Sequence, residues 1–167
     1  MSHKDLFSEA DWAGVTAAPM VASFAVTAGD PSGLVGAVQE ATATVRALSE
    51  TRRTAAEGSL VAEVIAAWGD AGTRGRLRED IRALARGRKP AEATEAAIAR
   101  LAEIARSVEA VAPDEAPAFN AWLRDIAQKV AEAGTEGGFL GFGGEKVSEA
   151  ERRTLADIDR ALSGPGA

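Results

Sequence analysis

Carboxylates are the side chains of this sequence best suited to chemistry, because two acids held near one substrate atom can act as general acid and base. Glu149 and Glu151 are two residues apart, and on a helix such neighbours point in different directions. Glu92 and Glu95 share a helix face, but without an apolar pocket around them they are expected to stay ordinary solvated acids. No catalytic set emerges, and we expect a protein that is not an enzyme. An enzymatic alternative would need at least two acids that converge in a concave apolar site.

Other reactive side chains are scarce in the 167 residues, which include no cysteine and one histidine, His3. The lack of cysteine excludes disulfides, thiolate zinc sites, iron–sulfur clusters and cysteine nucleophiles. We expect loose tails over residues 1–7 and 164–167. Because His3 lies in the first of these tails, catalytic triads and histidine-ligated metals are not predicted.

A glycine-rich segment near the C-terminus, residues 137–144, sets Phe139, Leu140 and Phe142 among five glycines. It follows no predicted strand and lacks the lysine and Ser/Thr of a Walker loop, so nucleotide binding is not predicted. In one interpretation the three apolar side chains fill gaps between helices, and the glycines permit the tight turns that this requires. In the other they form an exposed tip that captures a partner protein or a lipid surface.

Residues 74–89 are the most basic part of the chain, with seven arginines and lysines against two acids in a protein of net charge −6. Leu77, Ile81 and Leu84, at spacings of four and three, predict an amphipathic helix. Its candidate contact residues are Arg78, Arg82 and Arg86. They could pair with the acidic remainder of the chain, with a second subunit or another protein, or with a peripheral anionic lipid surface. The negative net charge and the lack of an aromatic side chain among these cations argue against nucleic acid.

Residues 12–29 carry no charge, and this length approaches that of a membrane span. The run contains Gly14 and Pro19 and is otherwise rich in alanine, which contributes little transfer free energy. A buried core helix is therefore favoured over an integral membrane segment. Acids occupy the preceding positions where a signal peptide carries cations, so we expect a cytoplasmic protein.

Capping residues and apolar spacing predict one all-α domain over residues 1–167, a bundle of about seven helices that are mostly antiparallel neighbours. Pro19 is expected to kink or split the first helix. The predicted helix starts are Ser8, Asp30, Ser59, Pro90, and Ser148 with Glu151 in a capping box. The predicted buried stripes are Ala97, Leu101, Ile104, Val108 and Val111; Phe119, Leu123, Ile126 and Val130; and Leu155, Ile158 and Leu162. Trp12, Trp68 and Trp122 are interpreted as core or interface residues.

The stretch GFGGEKVSEAERRTLADIDRAL combines a glycine turn, the apolar Val147, a serine cap and Glu151. It resembles the helix-entry segment of TerB-like proteins, the tellurite-resistance protein B family, and FAVTAGDPSGLVGAVQE is a looser second copy. The resemblance implies a seven-helix protein that binds a divalent cation through turn and helix acids. Asp30, Glu40 and Glu151 are the candidate ligands that carry over, although two glycines replace the family's turn aspartate. Apart from this cation, no cofactor is predicted.

Two functions stay open at this point. The favoured one is a non-enzymatic binding or assembly module that contacts a protein partner or a second copy through the basic helix or the glycine-rich segment. The alternative, implied by the resemblance, is a divalent-metal-binding protein linked to stress or tellurite resistance.

Overall fold

The computed structural model describes residues 2–28, 44, 46–136 and 147–164. These residues form a short 3₁₀ helix and seven α-helices, and they contain no β-strand. The elements are the 3₁₀ helix His3–Leu6, α1 Glu9–Ala28, α2 at Thr44 and over 46–54, α3 Leu60–Ala67, α4 Ala71–Ala85, α5 Pro90–Val111, α6 Ala116–Glu136 and α7 Glu149–Ser163. The predicted all-α bundle is confirmed.

Helix α1 lies at the centre of the bundle, in contact with α3, α4, α5, α6 and α7. Eleven of its twenty residues are buried, and the six consecutive residues 14–19 are all among them. Consecutive helical residues point in different directions, so α1 is covered around its whole circumference. A helix in this position has no polar face, which explains the uncharged sequence. The prediction of a buried core helix is confirmed, and no described helix is long and apolar enough to cross a membrane.

The expected split of the first helix at Pro19 does not occur, because α1 continues through this residue, which is buried among the other helices. The polar side chains of α1 are satisfied inside the apolar centre by nearby backbone. Ser23 Oγ donates to the Pro19 carbonyl at 3.0 Å, and Thr27 Oγ1 donates to the Ser23 carbonyl at 2.9 Å. Thr44 Oγ1 in turn donates to Ser23 Oγ at 2.9 Å, which joins α2 to α1.

Local capping fixes where most helices begin. Four predicted starts are confirmed: α1 follows Ser8, α3 follows Ser59, α5 begins at Pro90 and α7 follows Ser148. At the last of these the predicted capping box is present, since Ser148 Oγ accepts from the Glu151 N–H at 3.2 Å and Glu151 Oε2 accepts from the Ser148 N–H at 2.6 Å. The predicted start at Asp30 lies outside the described residues.

The core is built from the predicted stripes of α5, α6 and α7 together with α1. Among the predicted stripe residues, those buried are Ala97, Leu101, Ile104, Val108, Phe119, Leu123, Ile126, Val130, Ile158 and Leu162. Val111 and Leu155 are half-buried at its edge. Trp122 is buried, and Trp12 and Trp68 pack against the core while half-buried. All three tryptophans therefore lie in or against the core, which is one of the two interpretations from the sequence.

A charge placed in the middle of α1 should destabilise the bundle strongly. We expect Ala22→Asp to lower the free energy of unfolding by about 3–5 kcal/mol, because the carboxylate would be buried without a partner. Ala22 has no exposed surface. Ala10→Asp is the matched control on the same helix: Ala10 is exposed in the first turn, and we expect a change within about 0.5 kcal/mol there. Urea denaturation of both variants measures the difference, and equal effects at the two positions would contradict the central placement of α1.

Candidate functional site

The basic segment is helical over most of its length, but its boundaries differ from the predicted 74–89. Helix α4 begins earlier, because Asp70 Oδ2 accepts from the Thr73 N–H at 2.7 Å and caps its first turn. It ends earlier because Gly87 adopts a φ of 72°, a left-handed conformation that favours glycine and interrupts the helix. The last candidate residue, Arg86, therefore follows the helix instead of lying within it.

Two arginines of this segment donate hydrogen bonds to backbone carbonyls of the same chain. The charge count alone did not predict these contacts. Arg74 Nη1 donates to the carbonyls of Trp68 and Gly69, both at 2.8 Å, just beyond the end of α3. Arg88 Nη1 donates to two carbonyls in the last turn of α4, at 2.9 and 3.1 Å. Guanidinium groups at such positions satisfy carbonyls that have no partner within the helix and oppose the negative end of its dipole. Part of the basic charge is therefore used within the chain, although by backbone carbonyls and not by the acids that the sequence analysis considered.

Four other cations of this segment form an outward-facing group, which we call the basic surface: Arg78, Arg82, Arg86 and Lys89. All four are exposed. The Arg82 guanidinium contacts the carboxylate of Glu79, three residues earlier on the same helix, and the Arg82 side chain is still 66% exposed. Such a surface pair contributes little stability and leaves the arginine available to another acid. Leu77, on a different side of α4, is buried in the core, and this orients the helix.

The candidate residues of the glycine-rich segment, Phe139, Leu140 and Phe142, lie outside the described residues. The same is true of two of the three candidate metal ligands, Asp30 and Glu40. The third, Glu151, is buried and holds the capping box of α7. Within the described part of the chain, no group of three or more acids and histidines is close enough to hold a metal ion. Divalent metal binding therefore stays a prediction from the resemblance.

A cleft of about 750 Å³, which the sequence did not indicate, opens where the N-terminal residues 2–9 meet the beginning of α1, the end of α3 and the beginning of α4. We call it the N-terminal cleft. Its apolar lining includes Phe7, Trp12 and Leu77, and the two aromatic rings are tilted by 41° with their centroids 6.0 Å apart. Its charged lining comprises the acids Asp5, Glu9, Glu63, Asp70 and Asp80 and the cations Lys4 and Arg76. Acids therefore outnumber cations around an aromatic wall.

The N-terminal wall of this cleft is held in place by one carboxylate, that of Glu63 on α3. Glu63 Oε2 accepts from Ser2 Oγ at 2.5 Å and from the Lys4 N–H at 3.3 Å, and Glu63 Oε1 accepts from the His3 N–H at 3.0 Å. The His3 ring contributes a further contact, with Nδ1 3.1 Å from Glu63 Oε1. Residues 2–4, which lie in the expected loose tail 1–7, are thus in direct contact with α3. The sequence signal for this contact was Glu63 itself, the one acid in the otherwise apolar α3. Its partners are some sixty residues away in sequence, so no local pattern identifies them.

These contacts change the acidity of Glu63. Burial, the largest single influence, raises the pKa of this carboxyl, but the hydrogen bonds from Ser2, His3 and Lys4 together outweigh it and hold the pKa below its ordinary value of 4.5. Hydrogen bonds from Thr73 likewise hold the pKa of Asp70 below its ordinary 3.8. Both acids are therefore ionised at neutral pH.

Removing the Glu63 charge should loosen the N-terminal segment in a pH-dependent way. Because the folded pKa is lowered, the stabilisation is present above the unfolded value of about 4.5 and is lost as pH falls through the folded pKa. We expect Glu63→Gln to cost about 1–2 kcal/mol at pH 7, and the difference from wild type to shrink below pH 4.5. Trypsin cleavage after Lys4 should also become faster at pH 7.

Urea denaturation between pH 3 and pH 7 measures this difference. The matched control is Glu57→Gln, since Glu57 is exposed in the connection between α2 and α3. Glu57→Gln should leave stability within about 0.5 kcal/mol of wild type at every pH. A cost for Glu63→Gln that is the same at pH 3 and pH 7 would contradict the assigned role of its charge.

No protein-family model, curated protein sequence or solved structure matches the chain. The resemblance to TerB-like proteins accordingly stays a prediction that rests on the two stretches quoted above. Among the described residues, the basic surface and the N-terminal cleft are the two features that bear on function.

Proposed function

We propose that this protein is a non-enzymatic assembly module that associates with a second copy of itself through the basic surface of α4. The observation that supports the proposal is the contrast among the cations of residues 74–89. Arg74 and Arg88 bind backbone carbonyls, whereas the side chains of Arg78, Arg86 and Lys89 are exposed and form no ion pair within the described residues. Charges that the fold itself does not use are available for contact with another surface.

A second copy offers the complementary charge. The protein has a net charge of −6 even though residues 74–89 carry seven cations and two acids, so the rest of the chain is strongly acidic. Opposite patches on identical molecules attract each other, and such contacts set orientation and association rate. Head-to-tail contact of this kind uses two different patches, one on each subunit.

The apolar surface supports a contact based on charge more than one based on hydrophobic burial. Among the described residues, Leu6 is the one large apolar side chain that is exposed, at 42%. Obligate dimer interfaces are usually large and apolar, whereas transient ones are more polar. We therefore expect an association that is reversible and sensitive to salt. The Debye length is about 10 Å at 0.1 M salt, so 0.5 M salt should weaken the contact markedly.

A triple charge reversal tests this proposal. We expect Arg78→Glu, Arg82→Glu and Arg86→Glu together to reduce self-association at least tenfold at low salt, because attraction between the patches becomes repulsion. Sedimentation velocity over a range of protein concentrations at 20 mM and 500 mM salt measures the effect. The control carries the same charge change away from α4, at the exposed Arg52, Arg53 and Arg106.

Three results would contradict the proposal. The wild type could sediment as a monomer at all concentrations and both salt levels. The α4 triple variant could associate as strongly as the wild type. The control variant could lose association to the same extent as the α4 variant, which would assign the effect to net charge instead of to the basic surface.

A further inference from the structure

The N-terminal cleft has the size and lining of a small-molecule site. Its volume of about 750 Å³ lies within the range of about 300–1,000 Å³ that is usual for ligand pockets. Phe7, Trp12 and Leu77 provide apolar and aromatic surface. Ala13 on α1 and Ala66 on α3 also line the cleft, and their small side chains leave space for a ligand. An apolar body with the width of one aromatic ring is the natural occupant of such a space.

Trp12 differs from the other two tryptophans in the use of its indole N–H. The Trp68 indole N–H donates to the Thr16 carbonyl and the Trp122 indole N–H to Thr51 Oγ1, both at 2.9 Å. The Trp12 indole N–H has no acceptor within the described residues, and this side chain is half-buried at the cleft. This nitrogen is not among the buried polar atoms that lack a partner, so the N–H is accessible from the cleft. A tryptophan ring is also the best aromatic partner for an organic cation.

The acids around the cleft divide into those used by the fold and those that are not. Glu63 holds the N-terminal segment, and Asp70 caps α4. The Glu9 side chain is 93% exposed, and its Oε1 forms a long ion pair with Arg76 Nη1 at 3.8 Å. Asp80 is exposed and has no partner in the described part of the chain. Asp80 can therefore attract a positive group to the cleft without giving up a structural bond, and Glu9 can do so at the cost of only its exposed ion pair with Arg76.

We propose that the N-terminal cleft binds a small organic cation that has an apolar body, of the arylalkylammonium type. The apolar body packs against Trp12, Phe7 and Leu77, and the ammonium group is attracted by Asp80 and Glu9. This site is separate from the basic surface, because Arg78, Arg82 and Arg86 do not line the cleft. The class of ligand follows from the combination of aromatic wall and excess carboxylate, since an anion would be repelled and a neutral ligand could gain hydrogen bonds from the acids but no charge attraction.

The probe for this proposal is phenethylammonium, titrated into the full-length protein and followed through the three indole N–H resonances in ¹H–¹⁵N NMR spectra. We expect a saturable shift of the Trp12 resonance and smaller shifts of Trp68 and Trp122, whose N–H groups are held internally. The neutral analogue 2-phenylethanol should bind at least about fivefold more weakly, which corresponds to the loss of one charge interaction. Trp12→Phe assigns the resonance.

Charge variants complete the test. Asp80→Asn should weaken phenethylammonium binding by about threefold to fivefold, and the double variant with Glu9→Gln should weaken it further. Glu109→Gln is the control, because Glu109 is exposed on α5 and does not line the cleft. The proposal is overturned if the Trp12 shift does not saturate, if the alcohol binds as well as the amine, or if Asp80→Asn and Glu109→Gln have the same effect. Far-UV circular dichroism confirms that each variant is folded.

Discussion

The burial of the uncharged part of α1, from residue 12 onward, is the constraint on which the rest of this structure depends. Helix α1 contacts five other helices, and its side chains there are mostly alanine and valine. Small side chains let the neighbouring helices approach closely. At Gly14, for example, side chains of α5 lie directly against α1: an added Cβ would be 3.5 Å from Ile104 Cγ1 and closer still to the flexible end of Arg100. The interior is thus close-packed, with the small side chains of α1 against the surrounding helices.

Because the centre of the bundle carries no charge, the ion pairs between helices lie at its surface. Arg124 and Asp159 join α6 to α7 at 2.5 Å, and Lys129 and Glu50 join α6 to α2 at 2.8 Å, all with side chains that are at least a third exposed. Exposed pairs of this kind add little to stability, so apolar packing around α1 has to supply most of it. The cations and acids that remain are then free to serve recognition, which is the role proposed for the basic surface and the N-terminal cleft.

Sequence reasoning succeeded where the physical signal is local. Ser59, Pro90 and the Ser148 capping box act within one helical turn, and the helices begin where these residues predict. The uncharged run of α1 was equally informative, because a long segment without charge has few places in a folded protein. The possible split at Pro19 does not occur, since α1 continues through this residue, whereas the alternative of a kink there stays a prediction.

What the sequence could not reveal depends on contacts between distant residues. The N-terminal cleft exists because Glu63 captures residues 2–4, and no local pattern signals that pairing. The two helix-end contacts of Arg74 and Arg88 were hidden for a related reason: a charge count cannot separate a guanidinium that binds a carbonyl from one that faces solvent. Two of the seven cations in the basic segment therefore serve the fold, and the candidate surface is smaller than the sequence suggested.

Native-state hydrogen exchange tests the central claim most directly. If α1 is enclosed by the other helices, the amides of residues 20–26 should exchange only through global unfolding, with free energies of opening equal to that from urea denaturation. Exposed helix α4, by contrast, should open at a lower free energy. Exchange of these α1 amides at a free energy well below that of global unfolding, or faster than the amides of α4, would contradict the account.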